Sequence, residues 1–166
     1  MKPEHAEQRG TVVALHVHPD DKALPCVEQA VLHLVAEQGI VEDKRYFARK
    51  DRQGRPAKRQ VTLIEGEQLV AHAEALGLGS LTNAEARSNI ETAGIELVPL
   101  IGRRVRVGGA VLEFVEPRTP CQRMDDICQG LKEMMEHGRQ GVVARVVESG
   151  EVRPGDPVEP VESAAA

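Results

Sequence analysis

Short apolar runs recur along the chain, and glycine or proline separates most of them from the next run. Residues 11–18 (TVVALHVH) are rich in β-branched side chains and are followed by a proline, as at the end of a strand. Residues 60–64 (QVTLI) and 141–147 (GVVARVV) are further apolar runs of strand length. Residues 87–95 (RSNIETAGI) predict one more short strand, which closes at a glycine.

The clearest β-hairpin lies at residues 101–115. Val105 and Val107 alternate with arginines, Gly108–Gly109 makes the turn, and a second apolar strand returns. Residues 150–161 contain a Pro-Gly turn and a last short strand, whose prolines are typical of the edge of a sheet.

Two stretches have helical periodicity. Residues 65–76 place their apolar side chains on one face and are followed by Gly77, a natural helix stop. Residues 125–137 predict a second helix that ends at a glycine. Residues 78–86 are expected to be loop. Residues 27–40 (VEQAVLHLVAEQGI) fit a helical stripe or a strand, and periodicity leaves both open.

Many short strands, Gly and Pro turns, and two or three helices together predict a mainly β (α+β) fold. The expected architecture is a small closed or nearly closed β-barrel with peripheral helices. Because the 166 residues contain no repeat or linker, we expect one domain with its core at about residues 10–158 and flexible tails. Aromatic residues are only 2% of the chain, so aliphatic side chains must build the core.

Charge and cysteine content narrow the function classes. A net charge of −5 argues against a nucleic-acid partner bound through a general basic field. Three cysteines without paired spacing do not indicate a disulfide framework. The sequence has neither a signal-peptide core nor an apolar run of about 18 residues, so we expect a cytoplasmic protein with no membrane partner.

The segment of residues 42–59 (EDKRYFARKDRQGRPAKR) contains eight Lys or Arg residues in an acidic chain. Its turn residues and lack of an apolar period predict a loop or a loose hairpin. Two readings remain open: a solvated run of charges, or a loop that binds phosphate through charge and forked donors.

Cys121 lies in the segment PRTPCQRM, directly after Pro120 and between Arg118 and Arg123. Proline cannot continue a strand ladder, so the thiol is expected where a strand ends and a loop begins. Nearby guanidinium groups favour the thiolate, which attacks electrophiles and binds soft metals. The alternative is a small buried hydrophobe.

Other candidate ligands carry less weight. Cys128 follows Cys121 by seven residues, which is not a CxxC spacing, and we expect it in the core. His16 and His18 should share one face of the first strand. A metal pair is conceivable there, but no Cys or carboxylate with ligand spacing accompanies them.

Six segments occur in an order that resembles the MOSC domain, the module named after the C-terminal part of molybdenum cofactor sulfurases. It also occurs in amidoxime-reducing enzymes and in standalone bacterial proteins. The segments are GTVVALHV, GIVEDKRY, QVTLI, RSNIETAGI, LIGRRVRVGGAVLEFVEPRTPCQRM and GRQGVVARVVESGEVRPGDPV. They span residue 10 to about residue 158, with PRTPC as the most specific part.

The resemblance implies that Cys121 is the characteristic residue, a molybdenum ligand in amidoxime-reducing members and a proposed sulfur carrier in sulfurases. Thr119 looks like the Ser or Thr that contacts the molybdenum cofactor (molybdopterin). Arg87 and Asn89 match an Arg–x–Asn element that reaches it. The other expected cofactor contacts are the basic residues Lys44, Arg45, Arg59 and Arg118. Family-level descriptions also include pyridoxal phosphate binding.

Two functional classes follow from the resemblance. The first is a molybdenum-dependent reductase of N-hydroxylated compounds with Cys121 as metal ligand. The chain has no ferredoxin-type cysteine cluster, so this enzyme needs a separate electron-donor protein. The second is a non-enzymatic carrier that holds sulfur or the cofactor on Cys121.

One segment departs from the pattern of standalone bacterial members, which usually read GD, a basic residue, His or Tyr, and Gly. Here Glu42 replaces the first Gly, and Phe47 stands where a Gly is common. A missing glycine restricts the backbone conformations available beside a ligand. A domain that has lost its chemistry is the third reading.

Overall fold

A computed structural model describes residues 8–161 of the chain. Within this range eleven strands follow in order: β1 (Gly10–Val17), β2 (Val27–Gln29), β3 (Leu32–Val35), β4 (Gly39–Ile40), β5 (Val61–Glu65), β6 (Ile90–Ala93), β7 (Arg104–Val107), β8 (Ala110–Pro117), β9 (Val142–Glu148), β10 (Gly150–Val152) and β11 (Pro157–Pro160). The helices are α1 (Gly66–Ala75), α2 (Asn83–Ala86), α3 (Arg123–Ile127) and α4 (Leu131–Met134), with a 3₁₀ helix at Val98–Leu100.

Seven of these strands close into a barrel in the order β11-β7-β8-β9-β5-β6-β1, and pairing of β1 with β11 closes the ring. Strand β2 extends the sheet beyond β1, and β10, β3 and β4 form a separate small sheet. The predicted mainly β barrel is confirmed, with four short α-helices in residues 8–161 rather than two or three. None of the helices in this range is long and apolar enough to cross a membrane.

Side chains alternate between the two faces of each strand, and apolar residues on both faces produce two apolar cores. Leu63 of β5 points into the barrel, which is filled by aliphatic side chains and Phe114. Its neighbour Ile64 points outward into a second core beneath the helices. Leu69 of α1, Met124 of α3 and Leu131 of α4 pack in this second core. The helices therefore hold the chain that follows β8 against the outside of the barrel.

The structure settles the ambiguous and basic segments. Residues 27–40 form strands β2, β3 and β4 and no helix. Residues 42–59 form consecutive turns with one isolated bridge, between Lys50 and Pro56, which agrees with a loose hairpin. The predicted strand at residues 87–95 is shorter, because regular pairing begins only at Ile90.

The prediction of one helix at residues 125–137 was wrong. The backbone is extended at Cys128, and Gly130 has a positive φ of 96° before α4 begins. The Asp125 carboxylate accepts hydrogen bonds from the backbone N–H groups of Gly130 and Lys132, which stabilises the break. An Asp side chain can compete with helical hydrogen bonds in this way.

Two further expectations were wrong. Residues 78–86 contain helix α2, which begins with a capping box between Thr82 and Glu85. Strand β11 is not an edge, because it pairs with both β7 and β1. Its prolines occupy the two ends of the strand, where the ladder tolerates a missing N–H donor. The expected flexibility of the tails, residues 1–7 and 162–166, lies outside the described residues.

Candidate functional site

Cys121 lies in the loop that follows β8, beside a pocket at the rim of the barrel. The backbone N–H of Arg118 donates to the carbonyl of Gly141 over 3.0 Å, which ties this loop to the start of β9. Cys121 is exposed, whereas Pro120 is buried. The expectation that the thiol lies where a strand ends and a loop begins is confirmed, and Cys121 is not a buried hydrophobe.

The pocket beside Cys121 has a volume of about 440 Å³ and a strongly basic wall. Seven of the eleven described residues that line it are Lys or Arg, and none of the eleven is Asp or Glu. The basic residues are Lys22, Arg45, Arg49, Arg59, Arg87, Arg118 and Arg123. Because the chain as a whole has a net charge of −5, this concentration of positive charge marks a site for an anion.

Arg118 is a buried cation that has no counterion in the described part of the chain. Its Nη1 donates to the carbonyl of Ala86 and to the hydroxyl of Ser88, over 3.1 and 2.8 Å. Burial, with a contribution from the charge of Arg59, lowers the pKa of Arg118 to about 10, so the guanidinium stays charged near neutral pH. No carboxylate of residues 8–161 pairs with it. A buried charge without a partner favours binding of an opposite charge.

Arg87 offers a second buried donor. It ends helix α2 in a left-handed conformation with φ of 67°, which turns its side chain back towards residues 22–25. Its Nη1 donates to the carbonyl of Leu24 over 2.6 Å. Its Nη2 is buried and has no hydrogen-bond partner within residues 8–161. Burial lowers the pKa of Arg87. An unsatisfied donor at the pocket wall is suited to an oxygen of a bound anion.

Six of the eight predicted site residues line this pocket, and two do not. The six are Arg45, Arg59, Arg87, Arg118, Thr119 and Cys121. Lys44 is exposed and lies outside the pocket wall. Asn89 is buried beneath the pocket. Its side-chain oxygen accepts hydrogen bonds from the backbone N–H and the hydroxyl of Thr62, and its side-chain NH₂ donates to Asp43.

A buried histidine and carboxylate pair forms part of the same site. Nδ1 of His18 lies 2.7 Å from Oδ2 of Asp43, and both side chains are 2% exposed. Burial lowers the pKa of His18, and the hydrogen bond to Asp43 opposes this only in part. Burial also penalises ionisation of Asp43, but hydrogen bonds from His18 and Asn89 hold the pKa of Asp43 below its ordinary value. His18 is therefore neutral and Asp43 ionised near neutral pH.

The two histidines of the predicted pair lie in different environments. His18 lines the pocket of Cys121, whereas Nδ1 of His16 lies 3.1 Å from the side-chain amide of Asn83. Burial lowers the pKa of His16 as well. In residues 8–161, no cluster of three or more His, Cys, Asp or Glu side chains has the arrangement of a metal site.

Part of the basic segment at residues 42–59 faces the pocket. The Tyr46 ring meets His18 edge-on, with centroids 4.9 Å apart, and the guanidinium of Arg59 lies 4.3 Å above the Tyr46 ring. Arg45 is held by the carbonyl of Pro19 over 2.7 Å. By contrast, Arg55 pairs with a neighbouring carboxylate on the exposed side of the hairpin. The segment thus combines both readings, with some charges solvated and others directed at the pocket.

The residues that depart from the family pattern leave the pocket unobstructed. The Glu42 carboxylate binds the backbone N–H and the imidazole of His33, over 2.8 and 2.5 Å, away from the pocket wall. Phe47 is half-buried, and neither Glu42 nor Phe47 has a positive φ. Neither substitution therefore forces the backbone into a strained conformation.

Sequence reasoning missed several residues of this site. Asp43 was not identified, and His18 was considered only as a partner of His16. The pair is 25 residues apart along the chain, so no local spacing could have indicated it. Tyr46 and Arg49 were seen only as members of a charged run.

Comparison with known proteins agrees with this architecture. The YUAD protein of Bacillus subtilis has a TM-score of 0.78 at 19% identity, with 95% of this chain and 98% of that chain covered. YiiM of Geobacillus stearothermophilus has a TM-score of 0.69 at 18% identity, with 92% and 75% covered. YiiM of Escherichia coli has a TM-score of 0.65 at 18% identity, with 96% and 72% covered. The TM-scores show that these proteins share the fold of this chain.

No curated protein sequence is significantly similar to this chain. The sequence model of the MOSC domain family matches residues 18–159 of this chain, which include the whole of the basic segment and the Cys121 loop. The chain therefore belongs to the MOSC domain family.

Proposed function

We propose that this MOSC domain protein binds the molybdenum cofactor with Cys121 as metal ligand and reduces N-hydroxylated compounds. The observation that carries the proposal is an exposed thiol in a pocket with seven basic residues and no acidic residue among the described ones that line it. Thiolates are ligands for soft metals, and guanidinium groups bind phosphate through paired hydrogen bonds.

The residues present fit a phosphorylated metal cofactor. Arg118 supplies a buried positive charge without a carboxylate partner among residues 8–161, and Nη2 of Arg87 supplies a buried donor without an acceptor. Both groups would gain a partner in the cofactor's terminal phosphate. Thr119 and the thiol of Cys121 lie on the exposed side of the same pocket.

In the proposed reaction an N-hydroxyl group takes up two electrons and two protons and leaves an amine and water. When bound, the cofactor supplies the two-electron redox chemistry. The protein's residues bind and orient: Arg87 and Arg118 hold the anionic end, and Cys121 holds the metal. The three cysteines of the chain lack the spacing of an iron–sulfur cluster, so electrons come from a separate donor protein.

A carrier function is the second candidate, and the exposure of Cys121 favours it. A thiol that is open to solvent can hand sulfur or cofactor to another protein, whereas an enclosed one cannot. The same basic wall would retain the cofactor during transfer. This reading requires no electron donor.

Metal and sulfur analysis of protein purified from a host that makes the cofactor separates the reductase from a sulfur carrier. Stoichiometric molybdenum and pterin in the wild type supports the reductase, provided that molybdenum is lost in Cys121→Ser and kept in Cys128→Ser. Cyanide-releasable sulfur on Cys121 without metal supports the carrier. Neither metal, pterin nor labile sulfur in the wild type would overturn both proposals.

A further inference from the structure

The imidazole of His18 is positioned to exchange a proton with the pocket of Cys121. Its Nδ1 is engaged by Asp43 over 2.7 Å, and Asp43 is itself held by the amide of Asn89 over 2.8 Å. No group of residues 8–161 hydrogen-bonds the other ring nitrogen, Nε2, and His18 lines the pocket wall. The carboxylate therefore fixes the ring orientation and leaves Nε2 as the ring nitrogen that is free to exchange a proton with the pocket.

We propose that binding of an anion in the Cys121 pocket loads His18 with a proton at Nε2, so that the site takes up an anion and a proton together. The proton comes from solvent, and imidazole becomes imidazolium. The Asp43 carboxylate balances the new positive charge at Nδ1, and the bound anion balances it on the pocket side of the ring. Nothing in this step requires a metal or a redox partner.

Electrostatics of the surrounding elements supports this coupling. In the free protein, His18 faces the charges of Arg59 and Arg118, which oppose a further positive charge, and the carboxylate of Asp43, which favours one. Burial is the largest cause that lowers the pKa of His18, and the two arginine charges lower it further. The uncharged Tyr46 ring packs edge-on, and Cys121 lies on the same pocket wall. A bound dianion offsets the arginine charges and adds a second negative group beside the ring, and both effects favour imidazolium.

Reciprocity then makes anion affinity depend on pH. If an anion favours the proton on His18, the proton must favour the anion by the same factor. If the protein is the proposed reductase, the proton at Nε2 is one of the two that the reaction consumes. The electrons still come from the separate donor protein.

Sulfate is a suitable probe, because it stays a dianion across the pH range in which histidine titrates. Sulfate titrations of the purified protein, without cofactor, between about pH 8 and pH 5 should show affinity rising at least about five-fold as pH falls. His18→Gln should bind sulfate with an affinity that no longer changes with pH. His33→Gln is the matched control, because His33 is an exposed imidazole outside this pocket, and it should retain the dependence.

A second measurement keeps the test independent of the folding of His18→Gln. Nitrogen NMR of the wild-type histidine rings should show His18 with its hydrogen on Nδ1 in the neutral form, and sulfate should raise its titration midpoint. Sulfate affinity that is independent of pH, a dependence that persists in folded His18→Gln, or no sulfate binding would each overturn the proposal. Because the experiment contains no molybdenum or pterin, its result is separate from that of the cofactor analysis.

Discussion

Several buried titratable side chains lie in or beside the Cys121 pocket: His18, Asp43, Arg87 and Arg118. Arg118 is balanced by neutral acceptors, and Asp43 by donors from His18 and Asn89. Such groups make stability and binding depend on pH and on single substitutions.

Stability should fall as the medium becomes acidic through the range in which His18 titrates. The folded-state pKa of His18 lies below 6.5, so below that pH the unfolded chain binds more protons than the folded one. The free energy of unfolding therefore decreases as pH falls below 6.5. Asp43, whose pKa is lowered from 3.8, adds its own loss only at more acidic pH.

Urea unfolding at a series of pH values measures this effect. We expect the slope of stability against pH to be smaller in His18→Gln than in the wild type, with a residual slope from His16, whose pKa is also lowered. An equal slope in the two proteins would show that His18 is not buried in its neutral form.

Cys121 should be the most reactive thiol. It is exposed, whereas Cys26 is buried and Cys128 is half-buried against the second core. Burial raises the pKa of Cys26, which further reduces its thiolate fraction. Brief treatment with iodoacetamide near neutral pH, followed by mass-spectrometric mapping, should find Cys121 modified first. Slower modification of Cys121 than of the other two would contradict the site.

Removal of the buried Arg87 donor should weaken cofactor binding. A charge-assisted hydrogen bond shielded from water contributes about 1.5–3 kcal/mol, so Arg87→Ala should lower affinity by roughly ten-fold or more. Cys121→Ser should remove the metal bond and leave much of the pterin affinity. Arg55→Ala is the control, because Arg55 is exposed and pairs with Asp51. Titration of the wild type and the three variants with isolated cofactor measures their affinities. Equal affinities in all of these proteins would defeat the assignment.

At the scale of elements, the site depends on how the loop after β8 is fastened to the start of β9. Gly141 makes this possible, since its φ of 82° and its contact with β5 leave no room for a side chain. An added Cβ would overlap the carbonyl oxygen of Leu63. The carbonyl of Gly141 also accepts from the N–H of Arg118, three residues before Cys121.

Gly141→Ala should therefore cost much more stability than alanine at an open glycine. Gly155 is the matched control, since its φ is 93° but nothing lies within 4 Å of an added Cβ. Backbone strain alone costs about 1–2 kcal/mol in Gly155→Ala, whereas strain and overlap together should cost more than about 3 kcal/mol in Gly141→Ala. Thermal and urea unfolding measure both. Similar losses would show that β5 moves aside easily.

At the scale of the whole molecule, the barrel is held closed by its last strand. Val158 of β11 is fully buried and lies opposite Gly10 of β1 and Val107 of β7. The contact joins the first and last strands of the described chain. The barrel interior, which supports the rim and its pocket, is complete only when this strand is in place.

Val158→Ala should destabilise the protein by about 2 kcal/mol, from lost burial and the cavity left behind. Val70→Ala removes the same atoms from a side chain of α1 that is 59% exposed, and it should change stability by less than about 0.5 kcal/mol. Denaturant midpoints of the two variants give the comparison. A small effect at Val158 would mean that β11 contributes little to closure.

Local features of the sequence determined much of the fold. Apolar runs bounded by glycine or proline coincide with strands β1, β5, β7, β8 and β9. Strand and turn preferences depend on neighbouring positions along the chain, so the sequence reveals them directly. The position of Cys121 after a strand follows from the prolines on either side of Thr119. The break at Gly130 was not predicted, because the Asp125 carboxylate reaches backbone donors that helical periodicity does not reveal.

Only the tertiary structure decided which side chains meet. His18, Arg59, Arg87 and Cys121 come from four separate segments, and no spacing along the chain places them around one pocket. The fold likewise decided that Asn89 lies beneath the site and that β11 closes the barrel. The physical reason is that apolar periodicity specifies each element, whereas strand pairing and burial across the whole barrel determine which buried charges share a wall.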